Sequence, residues 1–510
     1  MLNSLVQHSP ILVTVAPLVG GALCLLFGNR LLAYAIALLS TLFALIASFH
    51  LLLIARGGTV ISYHLGGWAP PLGIEYRIDA ANAFVLVIVA LLGFITLPYC
   101  RATIEKDIGQ NQHGLFYTCY LMCITGLLGV TITGDAFNVF VFLEISSLAT
   151  YVLVAMGAKR DKRALSAAYD YLILGTIGAT FFVIGLGLIY MVTGTLNMAD
   201  LAERLVDKED NRTVRSAFAF IVVGLGLKVA VFPLHRWLPN AYAYAPSAIS
   251  TLLAATSTKV AMYVMIRFLF SVFTIEFLFA RETLVFVVLP LGLVAMFVAS
   301  TIAIFQINIK RLLAYSSIAQ IGYMLVGIAL INTSGLSSTL VHLFNHAVSK
   351  AALFMALGAV VLRFGSPMIH QLQGLGKTMP LTGAAIVIGG LSLIGVPGTV
   401  GFVSKYELIS AALQKGWWPI SLLVVLSSIL AVAYVWKLVE TMYLQAPPAG
   451  VERKEAGLGV LAPMGVLIVA IVYFGINAEF TLGTSRMAAE SLFAADGAAN
   501  AVRVMGLEGR

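Results

Sequence analysis

Seven ionisable residues inside long apolar runs carry the chemistry open to this sequence: Glu144, Lys228, Lys259, His342, His346, Lys350 and Lys405. Glu144 closes the run Asp135-Ala-Phe-Asn-Val-Phe-Val-Phe-Leu-Glu144. At about 1.5 Å of rise per residue, it lies roughly 13 Å inside a helix entered near Asp135. That is close to the middle of a hydrocarbon core about 30 Å thick. Lys228 is similarly deep in a helix that begins near Ser216. A lone charge at that depth costs at least ~2.5 kcal/mol, and a Glu and a Lys that meet offset part of it. Burial disfavours both charged forms and pairing favours them. The balance is fine, so a small displacement can move a proton. A static buried pair is the plainer use, but apolar replacements often stabilise a protein as well. Ionisable residues at membrane depth are therefore read as functional.

His342, His346 and Lys350 are spaced four and four, which puts them in one stripe on a helix face. Imidazole exchanges protons near neutral pH, so two of them in line with a lysine read as a relay. Lys259 sits in Ser257-Thr258-Lys259-Val-Ala-Met, and Lys405 follows an interruption rich in Gly and Pro. Asp135, His235, Ser316, Ser317 and Gln320 are candidates for supporting roles. The two serines and the glutamine serve helix packing through small polar residues equally well. His8, His64, His113 and His370 read as loop or edge residues, and His50 as lying near a helix end.

These groups need a scaffold, and composition says what it is. The chain has 510 residues, 60% hydrophobic and 11% charged, against roughly 25% charged in a soluble domain. Apolar runs of about 20 residues, the length of a membrane span, recur along it. They predict about fourteen helices, near 11–27, 31–54, 81–100, 115–133, 136–157, 168–194, 216–234, 244–270, 283–306, 309–331, 335–364, 380–413, 418–444 and 459–478. The runs lack the ten-residue alternation of a β-barrel. The first Lys or Arg is Arg30, so no charged region precedes the first apolar run, and that run is expected to stay as a helix rather than a signal peptide. The net charge of +8 is assigned to cytoplasmic loops. Without a basic stripe interleaved with aromatics, nucleic acid is not expected as a partner. Cys24, Cys100, Cys119 and Cys123 read as small buried hydrophobes. Cys119 and Cys123 share a helix face, but no His or carboxylate joins them, so no metal is expected.

Loop charge predicts the orientation. The loop after the fifth helix reads Lys159-Arg160-Asp161-Lys162-Arg163, and loops of the same parity carry Arg30, Arg101, Lys106, Lys310, Arg311, Arg363, Lys377, Arg453 and Lys454. These loops are expected in the cytoplasm, with both termini on the periplasmic side of a bacterial inner membrane. Residues 200–215, mixed in sign, read as a solvated outer loop. Two segments share an oddity. Gly224-Leu-Gly226-Leu-Lys228 leads to Pro233, and Leu393-Ile-Gly395-Val-Pro397-Gly398 leads to Gly401 and Lys405. Gly and Pro inside a span free backbone groups that lipid cannot satisfy, so both breaks, near Val231–Pro233 and Val396–Pro397, are expected to be buried in a sealed bundle. A matched pair of broken helices points to a transporter built from repeats.

At these residues the sequence resembles the proton-translocating antiporter-like subunits of respiratory complex I and of Mrp-type cation/proton antiporters. The likeness spans roughly the third to the thirteenth helix. It is carried by Thr133-Gly-Asp135-Ala-Phe-Asn-Val-Phe-Val-Phe-Leu-Glu144, Lys228-Val-Ala-Val-Phe-Pro233-Leu-His235-Arg-Trp237-Leu-Pro239, Ala245-Pro-Ser247, Ile309-Lys310-Arg311-Leu-Leu-Ala-Tyr315-Ser-Ser and Pro397-Gly-Thr-Val-Gly401-Phe-Val-Ser-Lys405. The resemblance implies an all-α polytopic membrane protein of fourteen helices, with two inverted five-helix repeats and broken seventh and twelfth helices. Divided so, residues 1–110 hold the first three helices, 111–275 and 276–446 the two repeats, and 447–510 the last helix and tail. It also implies a Glu on helix five, Lys on seven, Lys or His on eight, His and Lys on eleven, and Lys or Glu on twelve, which Glu144, Lys228, Lys259, His342, His346, Lys350 and Lys405 match in turn. One departure is visible: after Pro239, where His is common, the chain reads Asn-Ala-Tyr242-Ala-Tyr244.

The Gly134-Asp135-x-Phe137-Asn138 run is similar to the D-type component of Mrp antiporters. Lys405 in place of Glu argues against the M-type component of complex I, and the length argues against the longer A and L types. The N type also carries Lys at that position but usually lacks the run. The expectation is a non-enzymatic subunit of a Na+ or K+/proton antiporter, working with other membrane subunits in the lipid bilayer. The alternative is a proton-pumping subunit of a complex I-like oxidoreductase or a membrane-bound hydrogenase. No cysteine array suits an iron–sulfur cluster and no phosphate-cradling motif appears, so no cofactor is expected and any redox chemistry falls to another chain.

Overall fold

The computed structural model describes residues 7–27, 29–493 and 502–505. Among the described residues, 12 helices are long and apolar enough to cross a membrane. In chain order the membrane helices begin with α1 (Ser9–Phe27), α2 (Arg30–Arg56), α3 (Ala80–Asp107), α4 (His113–Ile132), α5 (Ala136–Ala155) and α6 (Arg163–Thr193). Next come α7 (Arg212–Val229 and Trp237–Tyr244) and α8 (Ser247–Ala255 and Ser257–Arg267). They are followed by α9 (Leu278–Ile304), then α10 (Ile309–Ala329), α11 (Thr333–Phe364) and α12 (Pro380–Ile394 and Val400–Gln414). The series closes with α13 (Trp418–Val439) and α14 (Leu458–Ile476), and the shorter α15 (Glu479–Phe493), which is not one of the 12, follows. The interrupted helices α7 and α12 fall outside the set of 12, whereas α8, also interrupted, falls within it.

Polar N-caps start many of these helices. The Asp79 carboxylate accepts from Ala81 N and Asn82 N, and the Asn82 amide oxygen accepts from Asp79 N at 2.8 Å. Asp135 caps α5 through Asn138 N at 2.7 Å, and Asn332 caps α11 through Gly335 N at 2.7 Å. Each cap satisfies donors that have no partner inside the helix. Helices α8, α10 and α11 are buried on nearly every side, whereas α13 and α14 turn most of their surface outward. Glycine sets two close crossings. A Cβ on Gly224 would stand 2.6 Å from the Gly178 oxygen, and one on Gly322 would stand 2.6 Å from the Gly292 oxygen. Small residues let the backbones of α6 and α7, and of α9 and α10, touch in this way.

A hairpin of β1 (Val60–His64) and β2 (Glu75–Ile78) joins α2 to α3, and the backbone of β3 (Val502–Met505) pairs parallel to β1. The buried Glu75 accepts from Ser62 Oγ at 2.6 Å and Asn197 Nδ2 at 2.8 Å, which ties the hairpin to the chain after α6.

The breaks occur where Gly and Pro place them. The first half of α7 ends at Ala230, whose φ is 65°, and the first half of α12 ends at Gly395, whose φ is 92°. The expectation that both would be sealed inside the bundle is corrected. Pro233 and Arg236 in the first break, and Pro397 and Gly398 in the second, are exposed on this chain. α14 packs against the second break where Gly475 meets Thr399. A second correction concerns Lys310. It is not a solvated loop charge but sits in the first turn of α10, 2% exposed, donating to Ala245 O at 3.1 Å and Ser250 Oγ at 3.2 Å. The negative C-terminal end of Trp237–Tyr244 holds it there. Other basic residues of that parity, Lys106 and Arg160, reach the Leu362 and Gly365 carbonyls at the end of α11. The 200–215 stretch is polar and laced with the exposed pairs Arg204–Asp200 and Arg215–Asp210. In the tail, α15 docks on the bundle through Arg486–Glu407 at 3.2 Å and Phe493 against Phe270.

Backbone proximity at the second break gives one prediction. A Cβ on Gly401 would stand 1.8 Å from the Ser392 oxygen, and backbone cannot move aside as a side chain can. Gly401→Ala is expected to destabilise the protein by about 1–3 kcal/mol, the range for overpacked sites. Thermal unfolding of the purified protein in detergent, compared with wild type, checks this; an unchanged melting curve contradicts it.

Candidate functional site: a buried line of lysines and histidines

Glu144 and Lys228 meet. Lys228 Nζ lies 3.2 Å from Glu144 Oε1 and donates to Ser147 Oγ at 2.8 Å. The Lys228 side chain is 8% exposed and that of Glu144 is 23% exposed, so the carboxylate opens toward the outside of this chain. Ser147 is one turn beyond Glu144 on α5, which is why the two share a face.

The other lysines rest on neutral oxygens. α8 is interrupted at Thr256, whose φ and ψ of −122° and −57° are not helical. Lys259 sits in the first turn of the second half and donates to the Ala254 carbonyl at the end of the first. Lys405 repeats the device at α12: it donates to Leu393 O and Ile394 O, both at 2.9 Å, and to Ser428 Oγ at 3.1 Å. Gln320 Nε2 also donates to Leu393 O, at 3.3 Å. The C-terminal end of a half-helix carries negative partial charge, a natural seat for an ammonium group. Lys350 donates to Leu313 O at 2.7 Å and contacts Ser316 Oγ. Ser317 donates to the same Leu313 carbonyl, at 3.0 Å. No carboxylate pairs with Lys259, Lys350 or Lys405 among the described residues.

The histidines occupy the space between these lysines. His342 Nδ1 is 2.7 Å from Ser404 Oγ, and the His342 and His346 rings stack with centroids 6.0 Å apart. Three ring nitrogens, His342 Nε2 and both of His346, have no hydrogen-bond partner among the described residues. Ser247–Ala255, the half of α8 whose end receives Lys259, packs against α11, and His342 reaches Ser404 beside Lys405. Tyr323 lies under Lys405, its ring centroid 4.5 Å from Nζ.

The residues therefore form two groups, a Glu144–Lys228 pair and a longer cluster from Lys259 to Lys405. Aromatic side chains fill the gap. Tyr171 stacks on Trp237 at 4.1 Å with Tyr151 edge-on to it, and Trp237 Nε1 caps the Leu227 carbonyl at 2.9 Å. Tyr242 OH donates to Leu253 O at 3.1 Å. Of the supporting candidates, Ser316, Ser317 and Gln320 touch the cluster. Asp135 is instead the N-cap of α5, and His235 stacks on Phe232 inside the α7 break. Ser147, Ser404 and Ser428 were not anticipated. Spacing could have found the first two, which lie three residues from Glu144 and next to Lys405.

Residues 133–431 match the sequence profile of the family described as NADH:quinone oxidoreductase/Mrp antiporter, TM. The chain belongs to this family. Among curated relatives of the family, it is 39% identical over 430 residues to the N-type component of the NADH-quinone oxidoreductase of Desulforudis audaxviator, covering 82% of this chain and 85% of the relative. It is 28% identical over 430 residues to the D-type component of the Na(+)/H(+) antiporter of Bacillus subtilis, covering 84% and 85%. Among solved structures of the family, a chain of the Mrp complex from a Dietzia species superposes with a TM-score of 0.87 at 27% identity, covering 96% of this chain and 98% of that one. A chain of an archaeal membrane-bound sulfane sulfur reductase superposes with a TM-score of 0.88 at 29% identity, with the same coverage. The Mrp match fits the Gly134-Asp135-x-Phe137-Asn138 run that α5 uses as its cap.

Proposed function

We propose that this chain is a subunit of a multisubunit monovalent cation/proton antiporter and conducts protons along the line from Glu144 to Lys405. The observation that carries the reading is the Glu144–Lys228 pair at membrane depth, followed by buried lysines seated on neutral oxygens beside imidazole nitrogens that lack a partner among the described residues. A cation held by neutral acceptors can lose its proton without leaving an unpaired carboxylate behind. Asp135 and His235 act from outside the line, as helix cap and break filler. The exposed breaks support partner subunits: polar backbone at membrane depth survives only beside protein or water. In this reading the lysine-rich loops face the cytoplasm of a bacterial cell, both termini lie outside, and residues 111–275 and 276–446 form the inverted repeats.

The 39% identity to an N-type component favours a second reading, a proton-pumping subunit of a redox complex. The two differ in what drives transport. In vesicles containing the assembled complex and no respiratory substrate, an antiporter subunit is expected to let added Na+ or K+ collapse an imposed pH gradient. If neither cation does so, while an electron donor to the complex builds a gradient, the redox reading replaces the first.

A further inference from the structure

An apolar groove of about 420 Å³ lies between α2, α3, α14 and α15, on the side where the β1–β2 hairpin sits. On α2 it is lined by Leu45, Phe49 and Leu52, and the same stripe continues to Arg56. Offsets of four, three and four residues keep all of these on one helix face. From Leu45 to Arg56 the helix rises about 16 Å, close to one leaflet of a hydrocarbon core about 30 Å thick. The floor is Phe344 of α11, which stands between His342 and His346 in the sequence and packs on Phe84 and Phe474. At the membrane-surface end, the Arg56 guanidinium lies 4.5 Å above the ring of Phe480, itself a wall of the groove. Its Nε is buried without a hydrogen-bond partner, and no carboxylate pairs with Arg56 among the described residues.

We propose that this groove is a binding site for one anionic phospholipid, with an acyl chain along the Leu45–Phe49–Leu52 stripe and its phosphate on Arg56. An acyl chain is the occupant that matches a wall that is apolar but for Thr481 and whose stripe on α2 reaches the level of Arg56 within about one leaflet. A guanidinium at the headgroup level, with no carboxylate paired to it among the described residues, selects a phosphate and favours a net negative headgroup. The site ends on the helix that carries the two central histidines, so the lipid packs against the back of the ion line.

The test uses the assembled complex, purified in detergent, delipidated and titrated with phosphatidylglycerol or phosphatidylcholine of identical chains, with retained lipids counted by native mass spectrometry. Wild type is expected to hold one phosphatidylglycerol about fivefold more tightly than phosphatidylcholine, the worth of one basic residue near an anionic headgroup. Arg56→Gln is expected to erase that preference and Arg56→Lys to keep it. Ile46→Trp, which fills the groove from an exposed position, is expected to lose both lipids. Equal retention of the two lipids by wild type, unchanged retention in Ile46→Trp, or crosslinking that places a partner subunit's helix in the groove would each overturn the proposal.

Discussion

Glu144→Gln is expected to abolish cation-driven proton transport while the protein still inserts and assembles. Glutamine keeps the shape and one acceptor oxygen for Lys228 Nζ, and Ser147 Oγ continues to hold that ammonium at 2.8 Å. What it removes is the exchangeable proton and the countercharge. A positioned acid or base contributes typically 10²–10⁴-fold to a proton-transfer rate, so transport should fall by roughly 10²-fold or more. Glu144→Asp keeps the charge on a side chain one methylene shorter and is expected to retain part of the activity. The comparison is pH-gradient decay in vesicles, with assembly followed on native gels. Wild-type rates in the Gln variant would remove Glu144 from the path.

The loss at Lys405 should be as large but separable into two parts. Lys405→Ala removes the donor to Leu393 O, Ile394 O and Ser428 Oγ together. Leu393 O keeps Gln320 as a donor, but the Ile394 carbonyl loses its lysine, and an acceptor left unpaired costs about 1–3 kcal/mol, so this variant should lose both transport and thermal stability. Lys405→Arg restores a cation with several donors but cannot give up its proton. It is therefore expected to recover stability and not transport. Recovery of both would make Lys405 a structural cap on the end of Pro380–Ile394, with no part in proton movement.

The residues that were legible in the sequence are those whose chemistry conflicts with their surroundings. A Glu or Lys in the middle of an apolar run has no bland place to go, and Gly-Pro clusters within a span force a break. The α8 interruption at Thr256 lacked such a sign, because Ser-Thr-Lys continues a helix as readily as it ends one. Lys310 was misplaced because it stands beside Arg311 at a helix start, where basic residues usually face solvent. Only the fold brings the carbonyl end of Trp237–Tyr244 to meet it. The exposure of the breaks could not be read from the sequence, because it depends on how the surrounding helices pack, which Gly and Pro spacing does not specify. Tyr242, where the family commonly carries His nearby, is fully buried and bonded to a backbone carbonyl. That is a filling role which sequence alone left open.

Lys259 tests the central claim most directly, because its helix α8 packs against both α7, which carries Lys228, and α11, which carries His342, His346 and Lys350. Protons crossing laterally must pass between side chains on helices roughly 8–10 Å apart axis to axis. Direct transfer needs about 3 Å or one bridging water. The groups therefore hand over protons in sequence, and each feels the charge state of the next through Coulomb coupling. The measurement is the rate of Na+- or K+-driven proton flux against pH, in vesicles holding wild-type or Lys259→Ala complex at equal abundance. A connected line predicts a lower rate and a displaced pH optimum in the variant. Superimposable profiles would contradict it, and the buried charges would then be static anchors between helices.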